Sequence, residues 1–79
     1  MTSSLFENSI IKRISKGGYV GKERYEIYLW NGSVIFVTDK NDMQELEKII
    51  KEVTDFTTRH DVQDTYYSML TDRLIEEGW

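Results

Sequence analysis

The chain contains a single histidine, His60, and Asp64 follows it at a spacing of four residues. On a helix, residues at this spacing share a face, so the pair could bind a metal ion or transfer a proton. A metal site needs at least one more ligand, and the chain has no cysteine and no second histidine to supply it. We therefore interpret the pair as polar residues near a helix start, and we predict no metal and no cofactor.

A glycine-rich segment, residues 17–22, superficially resembles a phosphate-binding loop. A Walker loop needs a glycine five positions before its Gly-Lys pair, then Ser or Thr, and then a helix. Here Lys16 occupies the place of that glycine, Glu23 follows Lys22, and strand-forming residues come next. We interpret the segment as a loop between elements. With one histidine, no cysteine and no convergent acid pair, we predict that the protein is not an enzyme.

Acidic residues dominate the second half of the chain. Residues 39–79 carry eleven Asp and Glu against five Lys and Arg, whereas residues 1–38 carry three against five, which gives balances of −6 and +2. A helix beginning at Asp61 would align several acids on one stripe of roughly 22 Å. These stripe residues are Asp61, Asp64, Ser68, Asp72 and Glu76. Asp72, Glu76 and Glu77 would crowd the C-terminal end of the helix, where the dipole disfavours them, so we predict that this surface binds a basic partner.

Five cations of the first half are interleaved with aromatic residues, which is typical of surfaces that bind single-stranded nucleic acid. The cations are Lys12, Arg13, Lys16, Lys22 and Arg24, and the aromatic residues are Tyr19, Tyr25 and Trp30. The net charge of −4 opposes binding to phosphate by the molecule as a whole. The sequence therefore favours a solvated surface there and no direct contact with nucleic acid.

A β-hairpin is the clearest local element. Asn31-Gly32 separates two β-rich runs and suits a two-residue turn. In the resulting register, the core face carries the pairs Leu29/Val34, Ile27/Phe36 and Tyr25/Thr38. The opposite face then carries Trp30, Tyr28, Ile35 and Val37. This second face is also apolar, so the sequence predicts that the N-terminal segment or a partner covers it, with Trp30 and Tyr28 as anchors in the latter case.

Two amphipathic helices follow the hairpin. The first is capped by Asn41 or Asp42 and runs to about Phe56, with apolar residues at three- and four-residue spacing. This stripe comprises Met43, Leu46, Ile49, Ile50, Val53 and Phe56. The second is capped by Asp61 and runs to about Glu77, and Gly78 stops it. Its inward residues are Val62, Tyr66, Met69, Leu70 and Leu74.

The N-terminal segment allows two assignments. Ser4 and Glu7 form a capping-box pattern, and Phe6, Ile10 and Ile14 recur at four-residue spacing, which favours a helix ending at the Gly17-Gly18 pair. The competing assignment makes residues 9–15 a third strand. The preferred fold is a single α+β domain over residues 1–79, with an N-terminal helix, a two-stranded antiparallel hairpin and two C-terminal helices.

This layout resembles that of small acidic phage proteins that inhibit bacterial defence nucleases, anti-CRISPR proteins that mimic DNA among them. The likeness is one of element order, size and charge: a short first helix, an Asn-Gly hairpin and two acidic helices with Tyr66-Tyr67 in the second. It implies that the chain inhibits a basic nucleic-acid-processing or defence protein of the host. The implied contacts are Asp61, Asp64, Asp72, Glu76, Glu77 and Tyr67, with Trp30 and Tyr28 on the hairpin. The net charge of only −4 departs from an extreme mimic.

The remaining expectations concern assembly and location. A two-stranded sheet is marginal alone, so the alternative function is a homo-oligomeric accessory module whose hairpins pair into a larger sheet. A third reading is the single-stranded nucleic-acid binder described above. Because cysteine is absent and no apolar run reaches membrane-spanning length, we expect a cytoplasmic protein without a membrane contact.

Overall fold

The computed structural model describes residues 5–6 and 9–79. In chain order, the elements are β1 (Ile11–Tyr19), β2 (Lys22–Leu29), β3 (Val34–Val37), α1 (Lys40–Arg59), a 3₁₀ turn (Gln63–Thr65) and α2 (Tyr66–Glu76). The strands form an antiparallel sheet in the order β1-β2-β3. The predicted α+β class is confirmed, but its layout differs, because a sheet of three strands precedes two helices.

Strand β1 replaces the predicted N-terminal helix, so that prediction is wrong for the described residues. Ser4 and Glu7, the expected capping box, lie outside them. The predicted spacing of Phe6, Ile10 and Ile14 fails at Ile10, which is 44% exposed, whereas the next residue, Ile11, is buried. A β-bulge between Ile11 and Arg13 adds one residue to the strand, so that Ile11 and Ile14 both face the core. The competing third strand was the better assignment, although it runs further, to Tyr19.

The hairpin between β2 and β3 has a three-residue turn instead of the predicted two. Leu29 donates its N–H to the Ser33 carbonyl at 2.9 Å, and Gly32 donates to the Leu29 carbonyl at 3.1 Å. Gly32 has a φ of 90°, the left-handed conformation that closes such a turn. The pairs are consequently Tyr25↔Val37, Glu26↔Phe36, Ile27↔Ile35 and Tyr28↔Val34.

This register reverses the predicted faces of β3, because a shift of one residue moves every side chain to the other side. Val37 is buried and Ile35 packs against the core, whereas Phe36 is 59% exposed. The assignment of Phe36 and Val34 to the core was therefore wrong, as was the outward assignment of Ile35 and Val37. The positions on β2 were predicted correctly: Ile27 and Leu29 are buried, and Trp30 is exposed.

Helix α1 begins after Asp39, whose Oδ1 accepts a 3.0 Å hydrogen bond from the Asp42 backbone. The predicted caps, Asn41 and Asp42, instead lie inside the first turn. The predicted core stripe is confirmed at Leu46, Ile49 and Val53, with Met43 and Ile50 partly buried. The helix continues past Phe56, which is 45% exposed, and ends at Arg59.

Helix α2 begins at Tyr66, not at Asp61. Asp61 has a φ of 56°, a left-handed conformation that a helix cannot continue through. Leu70 and Leu74 are buried as predicted, and Tyr66 and Met69 pack against the core, while Val62 precedes the helix. Gly78 follows the helix end as predicted. The backbone of Trp79 then donates to the Leu74 carbonyl at 2.9 Å, and that of Gly78 donates to the Ile75 carbonyl at 3.0 Å, which completes a Schellman motif.

Both helices pack on one side of the sheet. The core there comprises Phe6, Ile11, Ile27, Leu29, Val37, Leu46, Ile49, Val53, Leu70 and Leu74. One buried polar link crosses it, since the Ile11 backbone donates to Thr71 Oγ1 at 3.0 Å. The sheet therefore has a helix-covered face and an outer face. Within the described part of the chain, neither helix is long and apolar enough to cross a membrane.

Candidate functional site: an acidic groove and an outer sheet face

An open groove of about 410 Å³ lies between β3 and the C-terminal end of α2, and we call it the acidic groove. Its carboxylates come from Asp39, Asp42, Glu45 and Glu77. Its other lining residues are Leu5, Ile35, Phe36, Val37, Thr38, Gly78 and Trp79. No Lys, Arg or His is among these described lining residues. The groove therefore combines apolar side chains with carboxylates that no lining cation balances.

The two-helix layout brings these carboxylates together. A short connection joins α1 to α2, so the helices run in opposite directions and the end of α2 returns to the start of α1. Asp39 and Asp42 flank the N-terminus of α1, where the helix dipole favours an acid. Glu77 is the C-cap residue of α2, where the dipole disfavours one. The charge of Glu77 is offset in part by Arg73, four residues earlier on α2, and the hydrogen bond to Glu52 and then the charge of Glu77 raise the pKa of that guanidinium.

Trp79 fixes the position of the groove wall. Its backbone carbonyl accepts a 3.0 Å hydrogen bond from the Leu5 N–H, and its indole Nε1 donates to Glu45 Oε1 at 3.3 Å. The ring also packs against the core. A half-buried indole beside carboxylates offers both apolar area and a cation–π surface, so the groove suits a Lys or Arg side chain.

The predicted acidic stripe does not exist as one helical face. Asp61 and Asp64 lie in the connection after α1, and only Ser68, Asp72 and Glu76 belong to α2. All four acids are exposed, but α1 is 20 residues long, so the connection is about 30 Å from the groove. Of the predicted contact residues, only Glu77 lines the groove.

The aromatic residues predicted as contacts are also divided. Tyr67 is half-buried, packs against the core and contacts the Tyr66 ring edge-on at 5.0 Å. Trp30 and Tyr28 lie on the outer sheet face. The expected cover for that face, the N-terminal segment, forms β1 within the sheet, and no described element lies over it. Trp30 is 67% exposed as a result.

Cations lie over three of the outer-face rings. Lys12 Nζ is 5.0 Å from the Trp30 ring centre, Arg13 Cζ is 3.9 Å from that of Tyr28, and Arg24 Cζ is 5.5 Å from that of Phe36. Because of the bulge in β1, two consecutive cations, Lys12 and Arg13, both lie over rings of the outer face. We define the outer sheet face by these residues: Lys12, Arg13, Arg24, Tyr28, Trp30 and Phe36.

One carboxylate, Glu26, lies among these cations and is neutralised by its neighbours. Tyr28 donates its hydroxyl to Glu26 Oε1 at 2.6 Å, and Arg24 donates Nε to Oε2 at 2.9 Å. The Tyr28 hydrogen bond and then the Arg24 pair hold the pKa of Glu26 below its usual range. The same hydrogen bond raises the pKa of the Tyr28 hydroxyl. The described outer face therefore keeps a net positive character.

The predicted basic patch is split by the strand alternation. Lys16 and Tyr25 lie on the helix-covered side, where Lys16 Nζ is 3.4 Å from Glu47 Oε2 on α1. Lys22 begins β2 and pairs with Tyr19 at the exposed tip of the first hairpin. Sequence reasoning missed the pairing of Lys12 with Trp30, and no sequence signal marks the bulge that produces it.

The other candidates from sequence have structural roles. His60 caps the end of α1, and its ring is tilted against Phe56 at 4.4 Å between centres, while Asp64 lies in the 3₁₀ turn. The described residues hold no group of three His, Cys, Asp or Glu side chains that could bind a metal ion.

The glycine-rich segment belongs mainly to β1, so its assignment as a loop is wrong except at the turn formed by residues 20–21. A Cβ on Gly18 would lie 2.3 Å from the Lys22 carbonyl oxygen, so close strand contact requires this glycine.

In comparisons of the chain with protein-family models, with curated proteins and with solved structures, nothing matches.

Proposed function

We propose that the protein is a small protein-binding module that holds a cationic segment of a partner in the acidic groove. The observation that carries this proposal is the groove's charge: four carboxylates and no described cation line it. Glu77 brings a carboxylate from the end of α2 to the same groove as Asp39, Asp42 and Glu45 from the start of α1. The apolar side chains and the carboxylates of the groove together match a Lys or Arg side chain, whose stem is apolar and whose head is charged.

The inhibitory role follows from the resemblance in layout and charge to phage inhibitors of defence nucleases. In this proposal, the partner is a basic nucleic-acid-processing protein of the host, and the groove occupies part of its nucleic-acid-binding surface. Exposed Asp72 and Glu76 on α2 extend the negative surface next to Glu77. Absence of cysteine is in keeping with the cytoplasmic location that we propose.

The test compares two double variants that remove the same charge at opposite ends of α1. Asp42→Asn/Glu77→Gln alters the groove, and Asp61→Asn/Asp64→Asn is the matched control in the connection. Each is used as bait for affinity capture from bacterial lysate, and the captured basic protein is then titrated with each variant. We expect the groove variant to weaken binding about tenfold or more, because desolvated charge pairs at an interface are worth more than exposed ones.

The outcomes of this test separate four interpretations. Loss of partner binding by the groove variant alone supports the proposal. Equal loss of binding by both variants would indicate a diffuse electrostatic attraction. Loss of binding by the control variant alone would place the contact at Asp61 and Asp64. Either result would overturn the groove as the site. Full binding by both variants would refute an acidic contact altogether.

Homo-oligomerisation through the hairpin is the second candidate. Within the described chain, β3 pairs with β2 alone, so its other edge is open for a second copy. The exposed Phe36 next to this edge would be covered in such a dimer. Light scattering after size exclusion tests it: a concentration-dependent dimer that Phe36→Ala dissociates supports edge pairing, and a monomer at high concentration argues against it.

A further inference from the structure

From its geometry, we infer that the outer sheet face binds single-stranded nucleic acid. Phe36 belongs to both this face and the lining of the acidic groove, but the other two cation–ring pairs, Lys12 with Trp30 and Arg13 with Tyr28, are not part of the groove. It rests on the three cation–ring pairs of that face and on the exposure of two of its rings, Trp30 and Phe36. The whole-molecule charge argued against such a surface at the level of sequence, and the fold removes that objection.

The fold separates the two signs of charge. All acids of residues 39–79 belong to the helix layer and its connections, whereas Lys12, Arg13 and Arg24 lie on the sheet. The shortest dimension of the molecule is 22 Å, and the Debye length at physiological salt is about 8 Å. A phosphate beside Lys12 and Trp30, which do not line the acidic groove, is therefore largely screened from acids on the far side of the helices.

The rings of this face are placed to stack with bases. Trp30 is 67% exposed and Phe36 is 59% exposed, and every base offers a flat face to such a ring. Arg13 covers the Tyr28 ring at 3.9 Å, and its planar guanidinium presents a further stacking surface. Stacking requires bases that are not already stacked in a duplex, so the geometry favours a single strand over a double helix.

Charge also excludes a second copy as the occupant. Lys12, Arg13 and Arg24 would meet their own counterparts in a face-to-face dimer, and Glu26 is already engaged by Tyr28 and Arg24. Like charges brought together in this way oppose association. A polyanion with flat, unpaired bases satisfies both the cations and the rings of this face.

The test is fluorescence anisotropy of a short fluorescein-labelled oligothymidine with the full chain over a series of salt concentrations. Trp30→Ala should weaken binding about fivefold or more, because one base loses its stacking partner. Lys12→Ala should reduce the slope of log affinity against log salt by about 0.7, the value for one phosphate contact on a single strand. Both residues are exposed, so the variants should fold, and circular dichroism verifies this.

Matched controls come from α1, where Phe56→Ala and Lys51→Ala remove an exposed ring and an exposed cation from the other layer. We expect both controls to bind as the wild type does. Absence of binding by the folded wild type at the lowest salt would overturn the inference. Equal affinity for duplex DNA, or equal losses in the α1 controls, would overturn it as well. None of these results bears on the groove, which is tested by protein capture.

Discussion

Tyr25 on β2 donates its hydroxyl to Glu47 Oε2 on α1 at 2.6 Å, which joins the central strand to the long helix. Lys16 of β1 reaches the same oxygen at 3.4 Å, and its Nζ lies 5.4 Å from the Tyr25 ring centre. Burial, together with the hydrogen bond and the negative charge of Glu47, raises the pKa of Tyr25 to about 12. The Tyr25 hydrogen bond and then Lys16 lower the pKa of Glu47.

This link predicts a pH dependence of stability at the alkaline end. An unfolded tyrosine ionises near pH 10, whereas folded Tyr25 holds its proton to about 12. The stability that the group contributes is therefore fully present below pH 10 and is lost as the pH rises from 10 through 12. Urea unfolding at a series of pH values should show that the advantage of the wild type over Tyr25→Phe shrinks in this window.

Tyr19→Phe is the control for that measurement, because Tyr19 is 81% exposed at the tip of the first hairpin. Its unfolding free energy should follow that of the wild type at every pH. A Tyr25→Phe variant that loses stability in parallel with the wild type across pH 10 to 12 would contradict the role of the Glu47 hydrogen bond.

A second prediction concerns the buried hydroxyl of Thr71. It accepts the Ile11 N–H at 3.0 Å and donates to the Tyr67 carbonyl at 2.7 Å, so it ties β1 to α2. Thr71→Val would leave a buried N–H without a partner, at a cost of about 1–3 kcal/mol in the free energy of unfolding. Urea unfolding followed by circular dichroism measures this difference.

Thr57 provides the comparison, because it is equally buried but its hydroxyl only donates to carbonyls of its own helix, those of Val53 and Thr54. Thr57→Val removes a donor without leaving a bare N–H, so we expect a loss below about 1 kcal/mol. Equal losses of unfolding free energy in Thr57→Val and Thr71→Val would show that the hydrogen bond from Ile11 to Thr71 adds no stability beyond that of a hydroxyl bonded within its own helix.

How much of the fold the sequence predicts depends on whether the deciding signal is local. The core stripe of α1 and the inward side of β2 follow from local periodicity, and both were predicted correctly. The bulge at Lys12 and the left-handed Asp61 are single-residue departures that break a period, and each displaced a whole element. Gly32 marked the turn, but its three-residue form depends on hydrogen bonds that the sequence does not reveal.

The candidate site was harder to predict because its residues are distant in the chain. Asp42 and Glu77 line the same groove only because the two helices run in opposite directions. A prediction that treated residues 61–77 as one helix placed the acids on a stripe and omitted Asp39, Asp42 and Glu45. Trp30 and Tyr28 were assigned to the correct side of β2, since strand alternation alone decides that.

The register of β3 allows the sharpest distinction between sequence-based expectation and structure. Val37 is 5% exposed and contributes to the core, whereas Phe36 is 59% exposed and its ring lies beneath Arg24. Val37→Ala should therefore cost about 1–2 kcal/mol in unfolding free energy, because a buried side chain loses two methyl groups. Phe36→Ala should cost less than about 0.5 kcal/mol despite the larger truncation, because most of the ring already contacts water.

Under the register of a two-residue turn, Phe36 would be in the core and its removal would cost about 3 kcal/mol or more. Urea unfolding of the two variants thus decides the register, and a larger loss for Phe36→Ala than for Val37→Ala would reverse the faces of the strand.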